Sequence, residues 1–166
     1  MEKIKWVKAS TDKEIEMLWK IYQSNTEYFL MTSEEKVERQ TLEYNLQDLP
    51  PNCRAEQKEF LLIYYDGYPM ALMDLISHFP AEDCAYVGLF LVEGAHHSHG
   101  IGEEIFEEIE EELRKRKFQR IRLGVIEQNR RGLKFWKKLG FVEEKIVNST
   151  IRPDKECIVH VMEKKL

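Results

Sequence analysis

Three things are missing from this sequence, and each absence removes a class of protein. The 166-residue chain has no apolar run of membrane-spanning length, and its charged first residues, Met1 to Trp6, are unlike a signal peptide. It also lacks an excess of basic residues: the net charge is -5, whereas a nucleic-acid binder presents a basic patch or stripe. We therefore expect a cytoplasmic protein with neither a membrane nor a nucleic acid as partner.

Cysteine is scarce as well. Cys53, Cys84 and Cys157 are odd in number, far apart and without metal-ligand spacing, which indicates a reducing compartment and predicts no metal site. No stretch has the composition of a linker, and 43% of the residues are hydrophobic, which is enough for one core. Residues 1–166 are therefore expected to form a single domain.

The hydrophobic pattern switches between the periods of strands and helices. Alternating or continuous apolar runs predict seven strands, and apolar residues spaced by three or four predict four helices. Asp66-Gly67 predicts a tight hairpin turn, Ser33 to Lys36 has the form of a capping box that begins the second helix, and residues 25–32 look irregular. The order β-α-α-β-β-β-α-β-α-β-β predicts a mixed α/β or α+β fold with antiparallel hairpins and at least one crossover.

The stretch from Tyr86 to Arg116 carries the clearest functional signal. An apolar strand is followed by a small and polar segment, and Gly100-Ile101-Gly102 then begins a periodic helix. The first amides of a helix have no intrahelical partner and lie at the positive end of its dipole, so this turn is suited to binding phosphate. A missing Cβ at either glycine would let main-chain N–H groups approach a ligand closely. A plain helix start has the same local pattern.

Two motifs together make this sequence similar to a known family. After the first position, His97-Ser98-His99-Gly100-Ile101-Gly102 follows the pattern Gln/Arg-x-x-Gly-x-Gly/Ala. A later strand leads to Asn129, and the helix from there closes on Leu139-Gly140-Phe141. In both motifs, and in the order of its elements, the chain resembles the GNAT N-acetyltransferase superfamily.

The resemblance implies a fold and a co-substrate. The fold would be α/β (α+β), with a mixed, mostly antiparallel central sheet splayed at strands 4 and 5 and helices on both faces. The co-substrate would be acetyl-CoA, with no metal, and relatives that pair through their closing strands leave a homodimer open. The implied cofactor-binding residues are Phe90, Leu91, Val92, His97, Ser98, His99, Gly100, Ile101, Gly102, Glu103, Asn129 and Trp136.

The chain departs from the family pattern at three positions. His97 replaces Gln or Arg, which removes a fixed positive charge near the phosphates unless the imidazole is protonated. Trp136 stands where many relatives have a tyrosine as general acid, and an indole N–H does not deliver a proton to a departing thiolate. Gly124 stands where some branches have a glutamate base. Other groups or water must therefore perform these proton transfers.

The residue that deprotonates the amine stays open. Asp74 and Glu127 are the catalytic candidates, and His78 and Tyr86 are also placed to face the cleft. For Asp74 the alternative is an outward-facing strand residue. Holding amine and thioester in contact supplies much of the rate in such a reaction, so no single base need be indispensable.

These features predict a CoA-dependent N-acyltransferase that transfers acetyl from acetyl-CoA to a primary amine of a small molecule, by direct attack in a ternary complex. Two alternatives stay open. One is a GNAT-like domain that binds acyl-CoA without turning it over, which the missing tyrosine favours. The other is a metal-responsive protein that uses His96, His97 and His99, although this cluster has no further ligand to complete a shell.

Overall fold

The computed structural model describes residues 2–33, 36–152 and 155–166, which contain seven strands and five α-helices. The strands are β1 (Ile4–Lys8), β2 (Lys58–Tyr65), β3 (Tyr68–Ser77), β4 (Cys84–Val92), β5 (Arg120–Ile126), β6 (Val142–Arg152) and β7 (Lys155–Lys165). The helices are α1 (Asp12–Gln23), α2 (Thr26–Ser33), α3 (Arg39–Gln47), α4 (Ile101–Lys115) and α5 (Arg130–Lys138). Short 3-10 turns, Ala55–Gln57 and Gly94–His96, lie before β2 and after β4.

All seven strands belong to one sheet, in the order β1-β2-β3-β4-β5-β7-β6. Neighbouring strands are antiparallel except β4 and β5, which are parallel and are connected through α4. Two neighbouring parallel strands need such a crossover because a hairpin turn reverses the direction of the chain and therefore joins only antiparallel strands. The predicted mixed, mostly antiparallel sheet with at least one crossover is confirmed. A second crossover runs from β5 through α5 to β6, with β7 between the two strands.

Helices cover both faces of the sheet, and each face has its own core. Helices α4 and α5 pack on one face, where Met73 of β3 is fully buried. Helices α1, α2 and α3 pack on the other face, where Leu72 of the same strand is fully buried. Because successive side chains of a strand point to opposite faces, two neighbouring residues serve two different cores.

Helix α4 has the amphipathic pattern that the sequence predicts. Ile105, Ile109 and Leu113 are buried at four-residue spacing, the first turn contains acids and the last turn contains bases. That order of charges complements the helix dipole. Within the described ranges, no helix has the length and apolar character needed to cross a bilayer.

The local turn chemistry also agrees with the sequence. Asp66 and Gly67 have φ values of 49° and 83°, the positive angles expected of the hairpin between β2 and β3. Thr11 caps α1, because its hydroxyl accepts from the Glu14 amide and the Glu14 carboxylate accepts from the Thr11 amide.

The region before β2 corrects the sequence prediction in two places. Residues 26–33 form α2 rather than irregular chain, since tertiary packing of the Phe29 ring against Tyr22 compensates for weak periodicity. Helix α3 begins at Arg39, later than predicted, because Glu38 has extended backbone angles. Residues 34 and 35 of the predicted capping box, and residues 153 and 154 of the closing turn, lie outside the described residues.

Candidate active site

The central feature of the site is a fork in the sheet. Strands β4 and β5 pair over four positions, from Cys84 opposite Arg120 to Val87 opposite Leu123. Beyond that point β4 continues along β3 and β5 continues along β7. The strands therefore part at the middle of the sheet, and the edges that face the gap are not paired with each other.

Glycines form the start of both arms of the fork. Gly88 is the extra residue of a β-bulge, since Asp74 pairs with Leu89 and the next residue of β3 pairs with Val87. A Cβ on Gly88 would lie 3.0 Å from Asp74 Oδ2, and one on Gly124 would lie 3.0 Å from a methyl of Val159. Both glycines are exposed. They lie where the two strands part, a place that we call the throat of the fork, and its surface is therefore main chain rather than side chain.

The turn between β4 and α4 presents unpaired main-chain donors. Ser98 and Gly100 both have left-handed backbone angles, with φ of 66° and 78°. Within the part of the chain that the structure describes, the six amides from Ser98 to Glu103 donate no hydrogen bond to main chain or side chain. Together with the dipole of a 15-residue helix, these donors favour an anion.

Two acids in the first turn of α4 would oppose an anion, but each has a basic partner. The Glu103 carboxylate accepts from Lys138 Nζ at 2.8 Å. The Glu104 carboxylate accepts from Lys3 Nζ at 2.6 Å and from the Tyr65 hydroxyl at 2.9 Å, and these hydrogen bonds lower the pKa of Glu104. The helix start therefore keeps its positive potential.

The two glycines of the turn have different roles. A Cβ on Gly100 would meet no atom within 4 Å, so its missing side chain opens the outer surface of the turn. A Cβ on Gly102 would lie 3.3 Å from Val92 and 3.4 Å from Phe135. Gly102 therefore lets α4 approach β4 and α5, and only Gly100 meets the expectation of a glycine that opens the turn to a ligand.

Arg131 lies beside the turn and supplies a fixed positive charge, which His97 at the first position of the motif does not. Arg131 Nη2 donates to Ser98 Oγ at 3.0 Å. The side chain of His97 points elsewhere: its Nε2 is 2.8 Å from the main-chain oxygen of Val92, and a carbonyl only accepts, so this nitrogen carries the proton. The positive charge absent from position 97 is thus supplied from α5.

The end of β4 is held by the end of α1. The Val92 carbonyl accepts from Asn25 Nδ2 at 2.9 Å as well as from His97, and these two donors occupy both lone pairs. The Gly94 amide donates to Ser24 Oγ at 2.9 Å, and a Cβ on Gly94 would lie 2.1 Å from the Ser24 carbonyl oxygen. A ligand N–H could reach the Val92 carbonyl only by displacing one of its donors.

Comparison with known proteins agrees with this geometry. The family model described as Acetyltransferase (GNAT) family matches residues 15–141, which is most of the chain.

The chain belongs to the GNAT family. It is a GNAT N-acetyltransferase, and the recognition made from the two motifs is confirmed. No curated protein matches the sequence.

Solved structures share the whole fold at low identity. An acetyltransferase from Thermus thermophilus has a TM-score of 0.76 at 18% identity, with 99% of this chain and 98% of that chain covered. The ribosomal-protein-S18-alanine N-acetyltransferase from Escherichia coli has a TM-score of 0.70 at 17% identity, with 98% and 93% covered. PaiA N-acetyltransferase from Thermoplasma acidophilum, solved in complex with coenzyme A, has a TM-score of 0.65 at 18% identity, with 99% and 100% covered.

In this GNAT acetyltransferase the second motif builds the start of α5. Asn129 caps the helix, because its Oδ1 accepts from the Gly132 amide at 2.9 Å. A Cβ on Gly132 would lie 2.5 Å from the Asn129 amide nitrogen, so the close approach needs glycine. Trp136 is only 8% exposed and packs among aromatic rings, of which Phe106 and Phe141 lie about 5 Å away. Roles for Asn129 and Trp136 in cofactor binding stay predictions.

Asp74, the first catalytic candidate, lies beside the fork in a buried ion pair. Its Oδ2 is 2.9 Å from Lys58 Nζ, which also donates to the Asp48 carbonyl at 2.7 Å. Its Oδ1 is buried and has no hydrogen-bond partner within the described chain. Burial raises the pKa of Asp74, although the charge and hydrogen bond of Lys58 act in the opposite direction.

Glu127, the second candidate, has different surroundings. Its carboxylate is 3.6 Å from Nε2 of His160, whose Nδ1 contacts Glu143. His160 lies opposite Val125 in the sheet, on the face that α4 and α5 cover. The two carboxylates therefore do not lie together, and only Asp74 contacts a glycine at the throat of the fork.

The side chains of His96 and His97 contact different partners. His96 Nδ1 pairs with the Glu93 carboxylate at 2.6 Å, and His97 bonds to Val92. Among the residues that the structure describes, no three or more His, Cys, Asp or Glu side chains are grouped so as to hold a metal ion.

Sequence reasoning missed two polar residues of the site. Arg131 lies two residues after Asn129 in a helix with basic residues at 130, 134, 137 and 138, so charge patterning offered a signal. Lys58, with its side chain 7% exposed, begins β2 next to a second charged residue, Glu59, and offered none. Its pairing with Asp74 depends on the register of β2 against β3.

Proposed function

We propose that this GNAT acetyltransferase binds acetyl-CoA in the fork between β4 and β5 and transfers the acetyl group to a primary amine of a small molecule. The observation that carries the proposal is the row of amides from Ser98 to Glu103, which donate no hydrogen bond to any residue that the structure describes. In the same proposal, residues 1–166 form one acetyltransferase domain.

The diphosphate of acetyl-CoA would lie on this row. Main-chain N–H groups at a helix start suit an anion because they are fixed in direction and need no reorganisation. Arg131 adds a full positive charge 3.0 Å from Ser98. Arginine matches phosphate oxygens with two parallel hydrogen bonds, so this side chain compensates for the histidine at position 97.

The pantetheine arm would run along the unpaired edge of β4, toward the fork. Phe90 and Val92 are the residues whose main chain we propose for it, because Leu91 between them pairs with Leu72 of β3. Val92 would contribute its N–H, while its carbonyl keeps Asn25 and His97 as donors. The thioester would then reach the throat, where the lack of side chains at Gly88 and Gly124 leaves room for the reacting carbon.

The acceptor amine would enter over the face that contains Asp74. The attacking nitrogen must be neutral, and it becomes positive as the C–N bond forms, so a nearby carboxylate both stabilises the charge and accepts the proton. The position of Asp74 beside the exposed Gly88 supports this role more strongly than the His160 contact supports one for Glu127.

A turnover assay tests the proposal as a whole. We expect CoA and acetyl-CoA to raise the midpoint of thermal unfolding, and a panel of small primary amines to contain one that releases CoA from acetyl-CoA faster than water does. A peptide beginning with alanine belongs in the panel, because the Escherichia coli relative is named for such an acceptor. Binding of CoA without any acetylated amine would favour an acyl-CoA-binding domain instead, and preference for the peptide would favour a protein acceptor.

The turn is tested by one glycine substitution with a matched control. Gly100→Ala and Gly67→Ala each place a Cβ in open space at a left-handed φ, so both should lose about 1–2 kcal/mol of stability. Only Gly100→Ala should also weaken CoA binding, because its methyl group covers the donor row. Calorimetric titration with CoA measures this difference, and equal affinities for the two variants would contradict the placement of the diphosphate.

Arg131 is tested by removing its charge. Arg131→Ala should weaken CoA about tenfold, as expected when one charge-assisted hydrogen bond of about 1.5 kcal/mol is lost. The salt dependence of CoA binding should also become shallower. Lys137→Ala, an equal change of charge at an exposed position of the same helix, is the control. If both variants weaken binding equally, net charge rather than contact is responsible.

Asp74 is tested through the pH dependence of turnover. Because burial raises its pKa, turnover in the native enzyme should fall as the pH drops through that raised value and the carboxylate becomes protonated. Asp74→Asn should lower kcat by about 100-fold or more and abolish this acidic limb, whereas Glu127→Gln should keep it. Since Asp74→Asn leaves Lys58 buried without its counter-charge, the double variant Lys58→Met/Asp74→Asn serves as a second test in which no buried charge is stranded. An unchanged profile in both Asp74 variants would exclude Asp74 as the base.

A further inference from the structure

The side chain of Tyr86 lies across the fork. Tyr86 is on β4, two residues before Gly88, and it pairs with Ile76 of β3 and Arg122 of β5. Its hydroxyl oxygen is 3.7 Å from the position that a Cβ on Gly124 would occupy. The hydroxyl thus reaches from β4 to β5 just beyond the last pair of the two strands, on the face that also contains Asp74.

The ring and the hydroxyl of Tyr86 have different surroundings. The Phe79 ring packs edge-on against the Tyr86 ring, with centroids 5.2 Å apart and planes at 84°. Within the described residues the hydroxyl makes no hydrogen bond, although the side chain is half-buried. The hydroxyl is therefore placed to donate to a water or a bound ligand.

The surroundings keep the phenol protonated. Burial raises the pKa of Tyr86, the charge of Asp74 acts in the same direction, and only Arg122 opposes them. The group is therefore a hydrogen-bond donor throughout the physiological pH range.

We propose that Tyr86 is the proton donor to the departing sulfur of acetyl-CoA. The proposal rests on the function proposed above. It gives a role to a hydroxyl at the throat of the fork, where the reacting carbon would lie, in a chain whose Trp136 is enclosed in the core.

The proton balance of the step is complete. The lone pair of the amine forms the C–N bond, and the carbonyl π electrons move to oxygen. When the intermediate collapses, the electron pair on the oxyanion re-forms the C=O bond and the C–S bond breaks. The C–S electron pair stays on sulfur, and the Tyr86 O–H proton moves to that sulfur to give the CoA thiol. The phenolate recovers a proton from the positively charged nitrogen of the new amide, through water or Asp74. One thioester and one amine thus give one amide and one thiol.

The hydrogen bond from the Tyr86 hydroxyl to the sulfur matters more than complete transfer of the proton before the C–S bond breaks. A phenol, with an ordinary pKa near 10, is a weaker acid than a thiol, with an ordinary pKa of about 8.5. The proton therefore moves to the sulfur only as negative charge develops there. The phenolate then takes a proton from the positively charged nitrogen. A leaving group that is stable as a thiolate needs no such help.

Tyr86→Phe removes the hydroxyl and leaves the ring. With acetyl-CoA and the best amine of the panel, we expect CoA release to be slower by about 100-fold or more while the affinity for CoA stays the same. Tyr44→Phe, at a tyrosine that is 67% exposed, is the control and should match the native enzyme.

The leaving group distinguishes proton donation from packing. With p-nitrothiophenyl acetate as acyl donor, whose thiolate departs without a proton, Tyr86→Phe should come within about twofold of the native enzyme. An equal defect with both donors, or no defect with acetyl-CoA, would overturn the role of Tyr86 while leaving the acetyltransferase intact. If the native protein neither binds CoA nor releases it from acetyl-CoA, the proposed function fails, and this inference fails with it.

Discussion

The site depends on a single structural constraint, the parting of β4 from β5. After four paired positions each strand follows a different neighbour, so main-chain groups that a continuous sheet would pair with each other instead face a gap. Polar main chain in such a gap needs a partner, and glycines at the throat let one approach. Within the described residues, the two cores and the crossover helix α4 hold β4 and β5 on either side of this gap.

Charged side chains lie around this gap. The acids at the start of α4 are paired with lysines, Arg131 reaches the turn from α5, and the carboxylate of Asp74 is balanced by Lys58. The turn is therefore positive while the chain as a whole is acidic. Beside the throat, and within the described residues, Asp74 keeps one oxygen without a hydrogen-bond partner. In the function proposed above, Asp74 and Tyr86 handle protons at one end of the fork, and the turn binds the anion at the other.

The sequence predicted the elements whose cause is local. The period of α4, the Asp66-Gly67 turn and the glycine that begins the helix follow from neighbouring residues, and two motifs at the right separation identified the family. It failed where tertiary contacts decide: α2 forms because Phe29 packs against Tyr22, and the His97 ring turns inward to the Val92 carbonyl. Arg131 beside Ser98 and Lys58 beside Asp74 depend on register and helix position, which no short stretch encodes.

The central claim is that the amides from Ser98 to Glu103 hold a diphosphate. The most direct measurement is a titration of isotopically labelled protein, in which the amide resonances of these six residues are followed by NMR with CoA and, separately, with pantetheine, which lacks the diphosphate. The account predicts that CoA moves these amide protons downfield and that pantetheine leaves them in place. Amides that stay unchanged at saturating CoA, or that respond equally to pantetheine, would contradict it.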